Sequence, residues 1–403
     1  MLSQDSIDNL IGPFLLRQQD MSNYVVGVIA QRIKQFGGLT PSDVLKLQAM
    51  LRSGGDVKLI NDYLATMSGR QVKEIQSIIE SVCQAHYIDA KQLYDYTNTS
   101  YTPFKKNTAL QRTMQAVSKV TVDTYKNLSN AGAFMYRDPR NPQKLIPTSI
   151  SQTYYKAIDE AVQAASQGVL EYKTVMRKTL NDLASNGLQT VGYESEKGKR
   201  THQRLDTAVR RNILDGIRDI NQKTQDIIGE QVGATGKEIT VHANSAPDHE
   251  PIQGHQFTNE EYEKLQTQQP FQDVNGIEFD AIDRPIGIWN CRHFTYSIIV
   301  GVSKPNFTLE QLDEYKQKNA QGYTTPSGRH FTMYECTQLQ RKYELKIRKA
   351  KDLYLAAEKA GDKDLMDKAH AKVIQYTKEY RAFSKACGLK AKPDKTKVTG
   401  YKE

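Results

Sequence analysis

The feature that most constrains this chain is a stripe of apolar residues, Ile158, Val162, Ala165, Val169, Tyr172, Met176, Leu180 and Leu183, recurring at alternating spacings of three and four. That spacing keeps every member on one face of an α-helix for about seven turns. It predicts one long, half-buried helix from about residue 151 to 185, with Gly187 placed to end it. After a polar loop, Gly192 to Arg200, a second helix is expected with Leu205, Val209, Ile213, Ile217 and Ile220 inward. Arg200, Arg204, Arg210, Arg211 and Arg218 share that segment with Asp206, Asp215 and Asp219, so mixed surface pairing is expected there rather than a grip on phosphate.

The flanking segments extend the helical pattern. Thr40 and Pro41 form a helix start, as N-cap and first helical residue, ahead of Val44, Leu47, Met50 and Leu51, and Gly54-Gly55 closes that element. A further helix carries Val72, Ile75, Ile78, Ile79 and Val82, and Cys83 and His86 beside them read as packing residues. The proline-rich stretch Asp138 to Pro142 reads as a link. From Gly233 to about Pro305 the pattern breaks into short β-prone runs, Glu238 to Val241 and Phe294 to Val300, around a helical stretch from Thr258 to Gln266. Helix then returns. Leu339, Tyr343, Ile347, Ala350, Tyr354 and Ala357 form one stripe, Gly361 interrupts, and Leu365, Ala369, Val373, Tyr376, Tyr380 and Phe383 form the next. The expected fold is mainly α with a small α+β module, long amphipathic helices and a C-terminal helical hairpin. Its segments are 1–135, 136–232, 233–306, 307–388 and a Lys-rich tail, 389–403, expected to be mobile.

A chain of 403 residues is too long for one compact core of the usual size, roughly 250 to 300 residues at most. Its apolar runs fall far short of the roughly 20 residues a membrane span needs. Asp5 and Asp8 stand where a secretory signal would be basic and then apolar, so synthesis in a cytoplasm is expected, and the four scattered cysteines, without a CxxC pair, read as reduced thiols. The formal charge of +9 is concentrated: residues 341–403 hold 18 Lys and Arg against 9 Asp and Glu, leaving 37 against 37 for the rest. A basic end of this kind suits an anionic partner such as DNA, and a solvated lysine-rich helix face would look the same.

Chemistry-bearing residues gather in the small module: His242, His249 and His255, then Trp289-Asn290-Cys291-Arg292-His293. Imidazoles and a thiolate can hold a transition metal such as zinc, His with a carboxylate can do acid-base work, and Cys with His can form a nucleophile pair. Neither His242-x6-His249 nor Cys291-x-His293 has the i, i+4 spacing of a helical ligand pair, so a loop would have to converge them. No Asn or Asp is identifiable as an orienting partner, and the chain has no P-loop. A buried hydrogen-bond network, a structural metal site and a catalytic site all remain open, with His242, His249, Cys291 and His293 as the metal-ligand set.

The order His242, Pro247-x-His249, Gln253-Gly254, Asn290-Cys291-Arg292-His293 resembles the signature of the phage minor capsid protein 2 family, itself more loosely similar to head morphogenesis proteins of Mu-like phages. Tyr334 to Arg341 and the basic helical pair ending at Tyr380 to Phe383 resemble the family's C-terminal part, so the resemblance covers roughly residues 150 to 395. Ala246 and Ile252 depart from the pattern, which commonly has Arg and an aromatic there, and His255 stands where another basic residue is usual. The resemblance implies a minor protein of a tailed-phage virion, inside the head near the portal, acting in head assembly and in DNA packaging or ejection. Portal protein, major capsid protein and packaged double-stranded DNA are the implied partners, with no membrane and no small-molecule substrate. It implies a structural protein rather than an enzyme; the rival readings are a metal-dependent hydrolase or nuclease carried in the virion, and a DNA-binding accessory protein.

Overall fold

The computed structural model describes residues 4–138, 140–194, 200–288 and 291–402. The N-terminal region is helical as its spacing predicts: α1 (Gln4–Lys34), α2 (Pro41–Leu51), α3 (Gly55–Asp89), the short α4 (Lys91–Tyr96) and α5 (Thr108–Asn130). The Thr40 side chain accepts a hydrogen bond from the Asp43 N–H, with Pro41 in the first turn of α2. On α3, Ile75, Ile78, Ile79 and Val82 are buried in one stripe, and Cys83 and His86 lie within it. His86 hydrogen-bonds the Gln225 amide at 2.9 Å, and burial pulls its pKa down to about 4. Met50 departs from its expected inward place, because Val44 and Leu51 carry the buried face of α2.

The proline-rich link falls within a β-hairpin, with Pro139 itself outside the described residues. Strand β1 (Ala133–Asp138) pairs antiparallel with β2 (Asn141–Ser149), and β1 alternates burial through Phe134 and Tyr136. The prolines hid this strand pair, yet β2 lies at the edge of a sheet ordered β2-β1-β3-β4, where a missing ladder donor is tolerated. The polar loop likewise ends in strands, β3 (Leu188–Glu194) and β4 (Arg200–Arg204), while its residues 195–199 lie outside the described residues.

Between the two hairpins the predicted single helix is two: α6 (Ile150–Gln167) and α7 (Val169–Asn186). Gly168 between them has φ 121° and ψ 170°, a backbone region essentially restricted to glycine. The chain folds back there, so that Thr179 Oγ1 lies 3.3 Å from Glu160 Oε2. The stripe survives on both arms, with Ile158, Tyr172, Met176, Leu180 and Leu183 buried, but Val169 at the fold-back is exposed.

Helix α8 (Leu205–Val232) buries Leu205, Val209, Ile213, Ile217 and Ile220 as expected. Its cations pair in part as predicted, Arg210 with Asp8 at 3.4 Å and Arg218 with Asp219 at 2.5 Å. Arg204 and Asp206 are different: both are buried, and with Asp352 and Arg348 they form an interior ion-pair cluster rather than a surface one.

The small module follows: β5 (Gly236–Ile239), β6 (Gln256–Thr258), α9 (Asn259–Gln266), β7 (Phe271–Gln272), β8 (Glu278–Phe279) and β9 (Thr295–Ile298). An antiparallel sheet ordered β6-β5-β9 closes over its own apolar cluster of Ile239, Ile252, Phe257, Leu265, Phe271, Ile286 and Cys291. Gln222 and Gln225 of α8 accept from the Thr295 and Ser297 N–H groups, both at 2.9 Å, which fastens the sheet to the helix.

The C-terminal region runs through α10 (Leu309–Gln321), the paired β10 (Tyr323–Thr324) and β11 (His330–Phe331), α11 (Met333–Ala360) and α12 (Lys363–Ala386). The last two helices form the expected hairpin, with Ile347, Ala350, Val373 and Tyr380 buried between them. Helix α11 also packs on α1 and α7, and one apolar cluster includes residues from Ile11 to Ala369. The tail is not the mobile segment expected. Tyr380 Oη accepts from the Lys392 N–H at 2.8 Å, Lys395 reaches Asp8 at 2.7 Å and Val398 is buried, so an apolar anchor among the lysines pins the segment down. Among the described residues no helix is long and apolar enough to cross a membrane.

Candidate functional site

The loop from β5 to β6 and the segment before β9 meet on one side of the module. The first is held in shape by turns: Ala246 C=O accepts from the His249 and Glu250 N–H groups, and Ile239 C=O accepts from the Gly254 N–H at 2.9 Å. Gly254 adopts φ 77°, and a Cβ there would lie 2.5 Å from Leu312 Cδ2, so this position of the signature needs glycine on two counts. Pro247 enters the same turn. The second segment is tied to the first by Thr240, whose N–H donates to the Phe294 carbonyl at 3.0 Å while its hydroxyl accepts from the Phe294 N–H at 3.2 Å.

This framework brings three of the four predicted residues to one point. His249 Nδ1 lies 3.3 Å and His293 Nδ1 3.5 Å from Cys291 Sγ. The three residues are 1%, 5% and 3% exposed, in that order. His242 stands beside them: its ring packs edge-on against that of His293 with centroids 4.5 Å apart, and its Nε2 faces Thr240 Oγ1 at 3.4 Å, turned to a different partner from the trio. His255 belongs elsewhere, bonded through Nδ1 to the buried Asp273 at 2.9 Å.

The remaining ring nitrogens are also engaged. His249 Nε2 lies 2.6 Å from the Arg284 carbonyl oxygen, and His293 Nε2 lies 3.5 Å from Gln253 Oε1, which also accepts from the His242 N–H at 2.9 Å. Carbonyl oxygens only accept, so each Nε2 carries the hydrogen in the neutral ring and each Nδ1 presents a lone pair to the sulfur. Burial by itself raises the Cys291 thiol pKa, but the contact with His249, helped by backbone donors, outweighs it and leaves the thiol below its ordinary value. His249 responds in the opposite sense: burial lowers its pKa, and the contacts with Cys291 and the Arg284 carbonyl more than restore it. His293 is driven down to about 2 by burial and by the neighbouring His242, His249 and Arg284, so it stays a neutral donor.

Arg284 was not visible as a site residue from the sequence. Its carbonyl holds His249, and its guanidinium clamps Asp248 at 2.7 to 3.0 Å, so one residue fixes both sides of the turn. Arg292 points away from the trio to an ion pair with Asp215 of α8, which docks the module on the helix. Asn290, with Trp289, lies outside the described residues. The arrangement can hold a soft cation or a thiol-imidazole hydrogen-bond network, and its near-complete burial leaves a substrate no open face.

The fold and site define a mainly helical protein that carries a His/Cys-bearing α+β module on a central helix. The model of the family described as phage minor capsid protein 2 matches residues 6–385 of this chain, and the chain belongs to that family. The match extends the resemblance through the N-terminal helices, where the sequence motifs had not reached. No curated protein and no solved structure matches it. It is a structural component of a phage virion.

Proposed function

We propose that this minor capsid protein works inside the phage head beside the portal and major capsid proteins, as a structural part rather than an enzyme, and turns its C-terminal hairpin toward packaged double-stranded DNA. The observation that carries this reading is a contrast in pairing. Arg204 at the end of β4 and the α8 arginines Arg210 and Arg218 are all matched with carboxylates. On α12, Lys368, Lys372, Lys378, Arg381 and Lys385 are exposed and make no ion pair among the described residues. Lys378, Arg381 and Lys385, spaced by three and four, share one face of the last turns, so their charge is directed outward together.

Binding through these five side chains is electrostatic and indifferent to base sequence. Each phosphate neutralised contributes a log-log salt slope of about −0.9, so full engagement of five gives at most about −4.5. The test compares the intact protein with a variant carrying glutamine at all five positions, titrated with duplex DNA at two salt concentrations. The variant should bind more weakly and with a shallower slope. Equal binding by the two would refute the DNA-facing role and leave an acidic face on a protein partner as the destination of this surface.

A further inference from the structure

We propose that His249 Nδ1, Cys291 Sγ and His293 Nδ1 bind one zinc ion as its three protein ligands. Three observations converge on this assignment.

The first is distance. Tetrahedral zinc with bonds of about 2.3 Å to sulfur and about 2.05 Å to nitrogen places those ligand atoms roughly 3.6 Å apart. The sulfur lies 3.3 and 3.5 Å from the two nitrogens, and all three atoms are within 4.8 Å of one another. The two sulfur–nitrogen distances already suit the ion, and the two nitrogens, within 4.8 Å, would settle at roughly 3.3 Å around it.

The second is proton counting. With both Nε2 atoms committed as donors to the Arg284 and Gln253 oxygens, two Nδ1 lone pairs face a single S–H. One thiol hydrogen satisfies one of them. Protonating His249 and ionising the thiol satisfies that pair and sets the remaining His293 lone pair against a thiolate. Turning His293 to its other tautomer moves the conflict to the Gln253 oxygen, which the His242 N–H identifies as the carbonyl side of the amide. Every metal-free state of this buried trio without net charge therefore leaves one polar group mismatched, a cost of about 1 to 3 kcal/mol where water is excluded. A divalent cation accepts all three lone pairs at once, and the thiol proton leaves to solvent on binding.

The third is the outer ring of contacts. Metal-bound imidazoles characteristically donate their distal N–H to a carbonyl or carboxylate, which fixes tautomer and ring plane. Both histidines have that partner here, and the Arg284 carbonyl is itself held in place by the Arg284–Asp248 ion pair. Burial of Cys291 within the module's apolar cluster adds that the ion would tie β9 to the β5–β6 loop, closing a module whose strands are only two to four residues long.

The experiment uses tag-free full-length protein expressed with zinc in the medium and analysed for metal. About one zinc per chain is expected. Stripping the metal and adding cobalt(II) to the wild-type protein should produce a thiolate-to-cobalt charge-transfer band with the strong visible absorption of four-coordinate cobalt. Cys291→Ser should abolish the band and His249→Ala should lose the metal, while His242→Ala and His255→Ala should keep it. Gln253→Ala, which removes only the outer contact, should weaken zinc binding about 10- to 100-fold. Folded wild-type protein with no zinc and no cobalt band would overturn the proposal, whatever the variants do. Loss of metal in His242→Ala would overturn the three-ligand assignment.

Discussion

Replacing Asp352 with alanine should destabilise the whole protein, because that carboxylate is where three distant parts of the chain meet. Gln19 and Asn23 of α1 donate to Oδ1 at 3.0 and 3.1 Å, and Arg204, at the start of α8, donates to Oδ2 at 3.1 Å. The Asp352 side chain is 1% exposed and that of Arg204 is 7%, so water does not readily replace the partner that Arg204 loses, while half-buried Asn23 can turn to solvent. Three stranded donors at about 1 to 3 kcal/mol each set an upper range that neighbouring groups cannot sum to, since they share one acceptor and relax together. Arg204 keeps Asp206 at 3.3 Å, which limits the damage further. Breaking a buried ion pair from one side costs about 3 to 5 kcal/mol, and that is the expected loss. The assay is urea unfolding followed by circular dichroism, with the slope m checked for constancy. Asp159→Ala, which removes the Arg52–Asp159 pair at 52% and 39% exposure, is the reference and should cost about 0 to 1 kcal/mol. If Asp352→Ala costs no more than Asp159→Ala, the cluster does not hold the helices together and the reasoning fails.

Two further substitutions separate single effects. Arg177 holds the Asp362 carboxyl below its ordinary pKa of 3.8, so the ionised form belongs to the folded state and its contribution is complete above that value and lost as pH falls below it. Asp362→Asn keeps a competent cap for α12 and should cost about 1 kcal/mol at neutral pH, with a flatter decline of stability below about pH 4 than the wild type; parallel acid limbs would refute this. Gly168→Ala should cost about 1 to 3 kcal/mol in urea unfolding, because φ 121° with ψ 170° is strained for any side chain; an unchanged midpoint would show that the α6–α7 fold-back does not need glycine.

What the sequence disclosed and what it hid follow from the range of each signal. Helix faces repeat every few residues, so α3, α8, α11 and α12 were legible, down to Val209 and Ile213 inward and the break at Gly361. The α6–α7 fold-back was not, since Gly168 interrupts the helix without shifting the apolar phase: Ala165, Val169 and Tyr172 keep their three- and four-residue spacing across it. Strands β1 and β2 were masked by prolines that an edge position accepts. At the site, residue type alone drew attention to His249, Cys291 and His293; the spacing of Cys291 and His293 suggested that a loop must converge them, although a two-residue step puts side chains on one face of an extended chain. Arg284 was out of reach, because it holds His249 through a backbone carbonyl, which every residue has, and its guanidinium partner Asp248 lies 36 residues away. Arg204 was misplaced for a related reason: its partner Asp352 lies 148 residues away, and local charge pattern reports only neighbours on the same helix.

The C-terminal charge therefore has two destinations, and they bear on how the DNA-facing role can be tested. Part of the basic excess points inward: Arg348 pairs with Asp206 at 2.7 Å and Lys395 with Asp8 at 2.7 Å, which fasten α11 and the tail to α8 and α1. The same region supplies Asp352 to the interior cluster and Ala356 and Ala360 to the main apolar cluster. A chain ending near residue 333 would lose these together, so its failure to bind DNA would report unfolding as readily as a missing surface. On the other helix of the hairpin, Lys368, Lys372, Lys378, Arg381 and Lys385 meet solvent and have no ion-pair partner among the described residues. Substituting them costs little stability, since surface changes away from caps and pairs usually stay within about 0.5 kcal/mol. Binding and folding are thus separable on this protein because these α12 cations point outward, apart from the inward ion pairs that Arg348 and Lys395 make.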